Sequence, residues 1–428
     1  MGRLLKWWRK NRHGRLQREA VYRQVVPGKK YLERDWYLLL SRFQALVERF
    51  LVWQELQTDD LQTYPYLLRN FRRRQQEDFF QRSMNQARIL QEKRRQFHAR
   101  QLYWDYDLEQ EYYDYIASPN RQEYTNLQEV SDKLDHFYIA EKLKQACLAH
   151  SRGVANQESY DIHLLEAILQ EIQDRPILLQ VPAILMYATC YRAVVLAGDE
   201  TSFQALRKVI DAYQDGFPNK EMRDLYLLAI NYCIRALNRS QESFIPEALA
   251  LYEQSLERGY LLEDGHIPES TFSNIVSLAL KLGRFEWVHS FVEEQQSFLR
   301  EEYRDSLVAL SRAKIFYSEG DLPAAMQHLV LVEAKAPFLY LSAKSLQLKV
   351  FYEAEEWDAL DSLLESFRVY LQRRTDLGYG REHYQHLIQF ARRLLQLKPG
   401  DQAAREQLKA DVQAAEVFQE KEWFLKNI

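Results

Sequence analysis

The sequence predicts an all-α protein built as an α-α superhelix, with a basic helical region ahead of it. Three observations lead there. From about residue 177 to residue 374 one pattern recurs: apolar helix, short turn, apolar helix. Its clearest joints are Leu280-Lys-Leu-Gly283-Arg-Phe285, Tyr317-Ser-Glu-Gly320-Asp-Leu322 and Tyr352-Glu-Ala-Glu355-Glu-Trp357, with turn residues 37 and then 35 positions apart. That is the spacing of stacked helical hairpins. Glycine and proline are scarce, 13 and 11 in 428 residues, which suits long helices rather than strands and loops. Hydrophobic residues make up 46%, enough for a continuous core.

Taken in order, the stretch to about Lys30 is basic and broken by Pro27-Gly28. Tyr31 to Gln57 reads as a helix, with Leu38, Leu39, Phe43, Leu46, Val47, Phe50 and Leu51 at three-and-four spacing. Pro65 permits a new start, and Tyr66 to Ile116 reads as long helical material, rich in Arg and Gln before it turns acidic and aromatic over 103–115. Ser118-Pro-Asn120 ends it. Asn126 to Ser151 is the next helix, Val154 to Glu158 a loop, and Ile162 to Ile172 a further helix.

Hairpins follow at 177–197 with 200–214, 220–238 with 244–258, 268–282 with 284–298, 301–318 with 321–335, and 339–354 with 356–374. Helices 381–397 and 402–425 then cap the array with polar outer faces. No hairpin can bury all its apolar sides alone, so neighbours must stack. In the best unit Ala313 and Phe316 face Ala325 and Leu329. The expected domains are a basic region over 1–120 and a repeat region over 121–428.

Ala313, Phe316, Gly320, Ala325 and Pro337 resemble the small, aromatic, turn, small and terminating positions of the tetratricopeptide repeat. Phe351 and Trp357 match in the next unit, and Glu247-Ala-Leu-Ala-Leu-Tyr252 is similar to a second helix of that type. Val288 stands where a small alanine belongs, and the turn near Arg239 is expanded. The resemblance covers about half the chain and implies a fold rather than a ligand. Tyr22 to Tyr31, Leu46 to Leu51 and Asn126 to Tyr138 also resemble a family of uncharacterised all-helical bacterial proteins. Its members carry a further helical segment upstream, which implies that Met1 is an internal or shortened start.

The formal charge of −4 conceals a polarity: residues 1–104 hold 23 Lys and Arg against 10 Asp and Glu, leaving 34 against 51 for the rest. Cys147, Cys190 and Cys233 show no metal-ligand spacing and read as reduced, buried thiols of a cytoplasmic protein. The first ten residues lack the apolar core of a secretion signal, and no apolar run reaches the ~18 residues of a membrane span. Leu4, Leu5, Trp7 and Trp8 are expected to dock on the following helix.

Catalytic signatures are missing, so no enzyme and no cofactor is expected. Gly28-Lys29-Lys30 lacks the rest of a phosphate loop, and Gly378-Tyr-Gly380 follows a helix rather than a strand. His383 and His386 stand three apart beside Glu382 with no third metal ligand, and are read as solvated or capping. Asp107 and Glu111 share a helix face but offer no pocket that would separate their pKa values, so they read as a solvated face.

Two binding readings remain. Mapping the repeat puts Lys314 and Tyr317 on the concave surface, with Lys349 and Tyr352 repeating them 35 residues later. Such a ladder would hold an acidic or extended peptide of a protein partner, ammonium groups pairing with carboxylates and rings supplying contact area. The alternative is nucleic-acid binding through Arg72, Arg73, Arg74, Lys93, Arg94 and Arg95, interleaved with Phe71, Phe79, Phe80 and Phe97. The competing reading of that stretch is a solvated face, or a contact with the acidic remainder. The adaptor reading leads. One consequence tests the packing: Ala325→Leu should cost roughly 1–3 kcal/mol by overpacking, measured by denaturant unfolding.

Overall fold

The computed structural model describes residues 18–94, 97–117, 125–156, 159–195, 200–239, 241–333, 337–373, 380–398, 400–415, 418 and 420–428. Among these the chain is all α, without a strand; an isolated bridge joins Glu263 and His266. Backbone contacts divide it into two compact units, Met1–Lys144 with His163–Leu185, and Gln145–Ile162 with Met186–Ile428.

The first unit contains α1 (Arg18–Val25), α2 (Glu33–Leu56), α3 (Tyr64–Arg73), α4 (Glu77–Lys93), α5 (Ala99–Ile116) and α7 (Leu165–Asp174), while α6 (Leu127–Asn156) contributes residues to both units. Leu61, Leu68, Phe80, Met84, Ala87, Trp104 and Leu108 form the core of α3–α5. The helical material expected over 66–116 is three helices. It breaks at Gln75, which adopts a left-handed φ of 54°, and again at Arg94, which is extended. Asn126 is buried and donates to the backbone carbonyl of Glu109 (3.0 Å) and to its carboxylate (2.9 Å), which fastens the start of α6 to α5.

Periodicity on α2 identified a helix but not a buried face. Trp36 packs with Val21 and Tyr22 of α1, whereas Leu38, Leu46, Phe50 and Leu51 are exposed. The polar loop expected at 154–158 is also revised. Helix α6 continues to Asn156, since nothing from Val154 to Asn156 breaks a helix, and residues 157 and 158 lie outside the described ones.

The second unit holds α9 (Glu200–Tyr213), α10 (Asn219–Asn238), α11 (Phe244–Glu257), α12 (Glu269–Lys281), α13 (Phe285–Gln295), α14 (Glu301–Glu319), α15 (Leu322–Val330), α16 (Pro337–Glu353), α17 (Trp357–Arg373), α18 (Gly380–Leu395), α19 (Gln402–Ala414) and α20 (Lys421–Asn427), with most of α8 (Pro182–Val195). The expected final helix over 402–425 is thus two. Phe418, between them, sits in the core against Phe390 and Phe424 (ring centroids 5.2 and 5.4 Å). Consecutive helices pack in pairs, α10 on α11, α12 on α13, α14 on α15 and α16 on α17. The first helices also pack on one another, α12 on α14 and α14 on α16.

One joint recurs where the sequence repeats. At Gly283, Gly320 and Glu355 the backbone turns left-handed, with φ of 67°, 85° and 58°. The next amide then donates five residues back: Arg284 to Ala279 (3.0 Å), Asp321 to Phe316 (2.9 Å) and Glu356 to Phe351 (2.9 Å). These bonds satisfy carbonyls that the helix end leaves open and reverse the chain in three residues. After Gly320, the Asp321 carboxylate accepts from the amide of Ala324 (2.9 Å) and starts α15. Ala313 and Ala325 are fully buried where α14 meets α15, and Phe316 stacks on His328 (5.2 Å).

Only the third joint lacks glycine, so Glu355 holds a conformation that side chains resist. Glu355→Gly should raise stability by about 1 kcal/mol and Gly320→Ala should lower it by a similar amount. Equilibrium unfolding of both variants checks this; opposite signs are required.

Candidate binding wall on the first helices

Lys314 and Tyr317 lie on α14, Lys349 and Tyr352 on α16, and the structure brings all four into one wall with α12. Lys314 Nζ donates to Ser277 Oγ on α12 (3.2 Å). Tyr317 OH donates to the Glu353 carboxylate on α16 (2.5 Å). The Lys and Tyr pair does not extend to α12: at the equivalent positions there stand Ser277 and Leu280, 37 residues before Lys314 and Tyr317.

The wall is already occupied by the chain's own α20. Lys349 makes an ion pair with Glu420, both side chains being mostly buried. Trp423 donates its indole N–H to Glu353 (2.7 Å) and packs edge-on to Tyr352 (5.2 Å). Lys281 of α12 lies 3.9 Å from Glu422 on the exposed rim. Sequence reasoning missed Ser277, Glu353, Glu420 and Trp423, because α20 reads only as the end of a capping helix.

Burial disfavours charge on the Lys314 ammonium and pushes its pKa down from 10.5 to about 8; Glu420 opposes the shift and Lys349 adds to it. Lys314 nonetheless keeps some solvent exposure, as expected of a side chain in a recess. The Tyr317 hydroxyl is pushed up by burial and by donation to Glu353. Two ammonium groups therefore share one carboxylate, Glu420.

The other candidates are spread differently. Arg72 is bound to Glu111 (2.9 Å) and Asp114 (2.9 Å), and Arg69 joins the same Glu111 (2.5 Å). Arg74 donates to Asn70 (2.6 Å). Arg94 is paired with Asp59 and donates to Gln101 (2.7 Å). Arg73 and Lys93 are exposed, and Arg95 lies outside the described residues. Phe79 stacks on Phe71 (5.5 Å), and Phe80 is buried against Tyr115 (4.1 Å). Glu111, expected on a solvated face, is 2% exposed; the two arginines compensate its burial.

His383 is buried and its pKa is lowered by desolvation; His383 and His386 flank Phe418 at 5.6 and 6.3 Å, rather than capping a helix in solvent. Among the described residues no group of three or more His, Cys, Asp and Glu is arranged to hold a metal. Gly378 and Tyr379 of the GxG stretch, and Leu4, Leu5, Trp7 and Trp8, lie outside the described residues. Cys147, Cys190 and Cys233 are free and buried.

A recess of about 530 Å³ by α17 and α18 is lined by Arg368, Arg381, Arg392 and Arg393 over Leu371 and Ile388, with three glutamines and no nucleophile or carboxylate. Three of its guanidiniums are matched already: Arg368 and Arg392 hold Glu365 (2.5 and 2.8 Å), pulling that carboxyl down to about 2, and Arg393 holds Asp411 (2.6 Å).

No known family model, curated protein or solved structure matches the chain. Among the described residues no helix is long and apolar enough to cross a membrane.

The electrostatics of the wall can be measured. Between about pH 8 and 10.5 the unfolded chain keeps the Lys314 proton that the folded chain has released, so raising the pH favours folding; as pH falls through 8 the whole penalty is present. Lys314→Met should therefore be more stable than the natural chain at pH 7 by roughly 1–3 kcal/mol. That advantage should shrink towards pH 10.5. Parallel stability–pH profiles of the two proteins would refute this account.

Proposed function

We propose that this protein is a non-catalytic, tetratricopeptide-like scaffold that binds a segment of a protein partner along the first helices of its hairpins. The observation carrying this reading is the occupied wall. Lys349, Tyr352 and Glu353 hold Glu420 and Trp423, at the start of a short helix, through an ion pair, a ring contact and an indole hydrogen bond. A surface that grips such a segment within its own chain has the chemistry to grip one from outside. Further support comes from the three matching joints and from the packing of α12, α14 and α16 on one another, which is how an array of hairpins lines one face with first helices.

Nucleic-acid binding through the basic helices draws less support. Arg72 and Arg94 are engaged with carboxylates, and Phe80 is buried and unable to stack on a base.

A photoreactive phenylalanine at position 352 of the full chain, used in its native cell, tests the adaptor reading. The expected product is a discrete protein adduct that maps to one acidic segment. It should disappear when Lys314→Glu and Lys349→Glu are added while helical circular dichroism is unchanged. Adducts that persist in the double variant, or none at all, would remove the wall as the binding surface. The same probe at position 73 crosslinking nucleic acid would favour the alternative.

A further inference from the structure

Helix α20 is a poor fit to its seat in one respect. The wall presents two lysines, and α20 supplies one carboxylate within ion-pair distance of them: Glu420 pairs with Lys349. Lys314 has only the neutral Ser277 hydroxyl at 3.2 Å; among the described residues no carboxylate lies within ion-pair distance of it. Glu420 acts on Lys314 only from beyond ion-pair distance and does not offset the burial of that ammonium, so another carboxylate at that point would relieve it. Glu422 does not supply it, because it points to the exposed rim near Lys281 (3.9 Å).

The helix is also short. It has seven residues, whereas isolated helices below roughly 12–15 residues are marginal in water, so α20 keeps its form only while seated. Its hold divides in two. Phe418 and Phe424 enter the core beside Phe390 (5.2 and 6.1 Å), while Glu420, just ahead of the helix, and Trp423, in its first turn, meet Lys349, Tyr352 and Glu353. The second set is part-exposed and polar, the kind of contact an outside competitor can take over.

Resting on the adaptor reading above, we propose that the wall is the receptor for an acidic, indole-bearing helical segment of another protein, and that α20 is its built-in and incomplete substitute. The partner segment carries a glutamate or aspartate with a tryptophan three residues later, matching Glu420 and Trp423, and a second carboxylate that reaches Lys314. Binding displaces Glu420 and Trp423 from the wall. The energetic difference between the two occupants is the second carboxylate, so affinity falls as salt rises.

The test uses full chains and one probe, a fluorescent peptide with the sequence of residues 415–428, followed by anisotropy. In the loosened chain, Glu420→Gln with Trp423→Ala, the internal occupant is weakened. That chain should bind the peptide at least tenfold more tightly than the natural chain. Adding Lys349→Glu should abolish the gain, and a peptide carrying Glu420→Lys should recover it on that Lys349→Glu chain. Recovery by charge exchange is not expected of a helix that merely caps the fold.

If circular dichroism shows the loosened chain to be unfolded, Trp423→Phe alone carries the same comparison. Equal peptide binding by natural and loosened chains, no binding by a folded loosened chain, or a dimer formed by exchanging α20 would each overturn the proposal. Loss of peptide binding with the adduct at position 352 intact condemns the role of α20 alone; loss of both condemns the adaptor reading too.

Discussion

The second unit depends on one constraint: each helical hairpin has apolar flanks that its own two helices cannot cover. Leu307, Ala313 and Ile315 of α14 are buried, and α14 packs on α15, α12, α13 and α16. Burial of that kind is worth roughly 1.5–3 kcal/mol for each large side chain, far more than any surface ion pair in the molecule. The chain must therefore reverse tightly and often, and the left-handed joints at Gly283, Gly320 and Glu355 do this with one repeated set of hydrogen bonds. A glutamate at the third joint shows the constraint winning over local preference.

Electrostatics follow from the same packing. Once α3 is held against α5, its arginines face the acidic stretch of that helix, and Arg69 and Arg72 converge on a buried Glu111. Part of the strong positive bias of residues 1–104 is thus neutralised within the first unit. In the second unit, stacking first helices brings Lys314 and Lys349 into one recess, where Glu420, just ahead of α20, pairs with Lys349 and acts on Lys314 only from a distance. The recess is electrostatically incomplete.

Much of the fold was legible in the sequence. Helix periodicity and the glycine-marked turns located the hairpins from 268 to 374 to within a few residues, because capping and left-handed turns are local chemistry. The failures have physical reasons. The helical stretch over 66–116 is divided at Gln75 and Arg94, breaks that the sequence did not place, because no glycine or proline gives warning there and Arg94 is drawn to Asp59. Apolar spacing on α2 described a helix on which Leu38, Leu46 and Leu51 remain exposed while Leu39 packs beside Trp36, since periodicity reports a pattern and not a neighbour.

By itself, the sequence determined the all-α class, the hairpin joints and the recurrence of Lys and Tyr 35 residues apart, all of which follow from short-range spacing. Tertiary structure alone decided that Glu420 and Trp423 lie on that ladder, that Glu353 joins Tyr317 to Trp423, and that Arg72 is bound to Glu111. Trp423 and Glu353 are 70 residues apart in the chain. Contacts over such separations are set by which apolar flanks must be covered first, and no local pattern encodes the polar neighbours that this covering brings together.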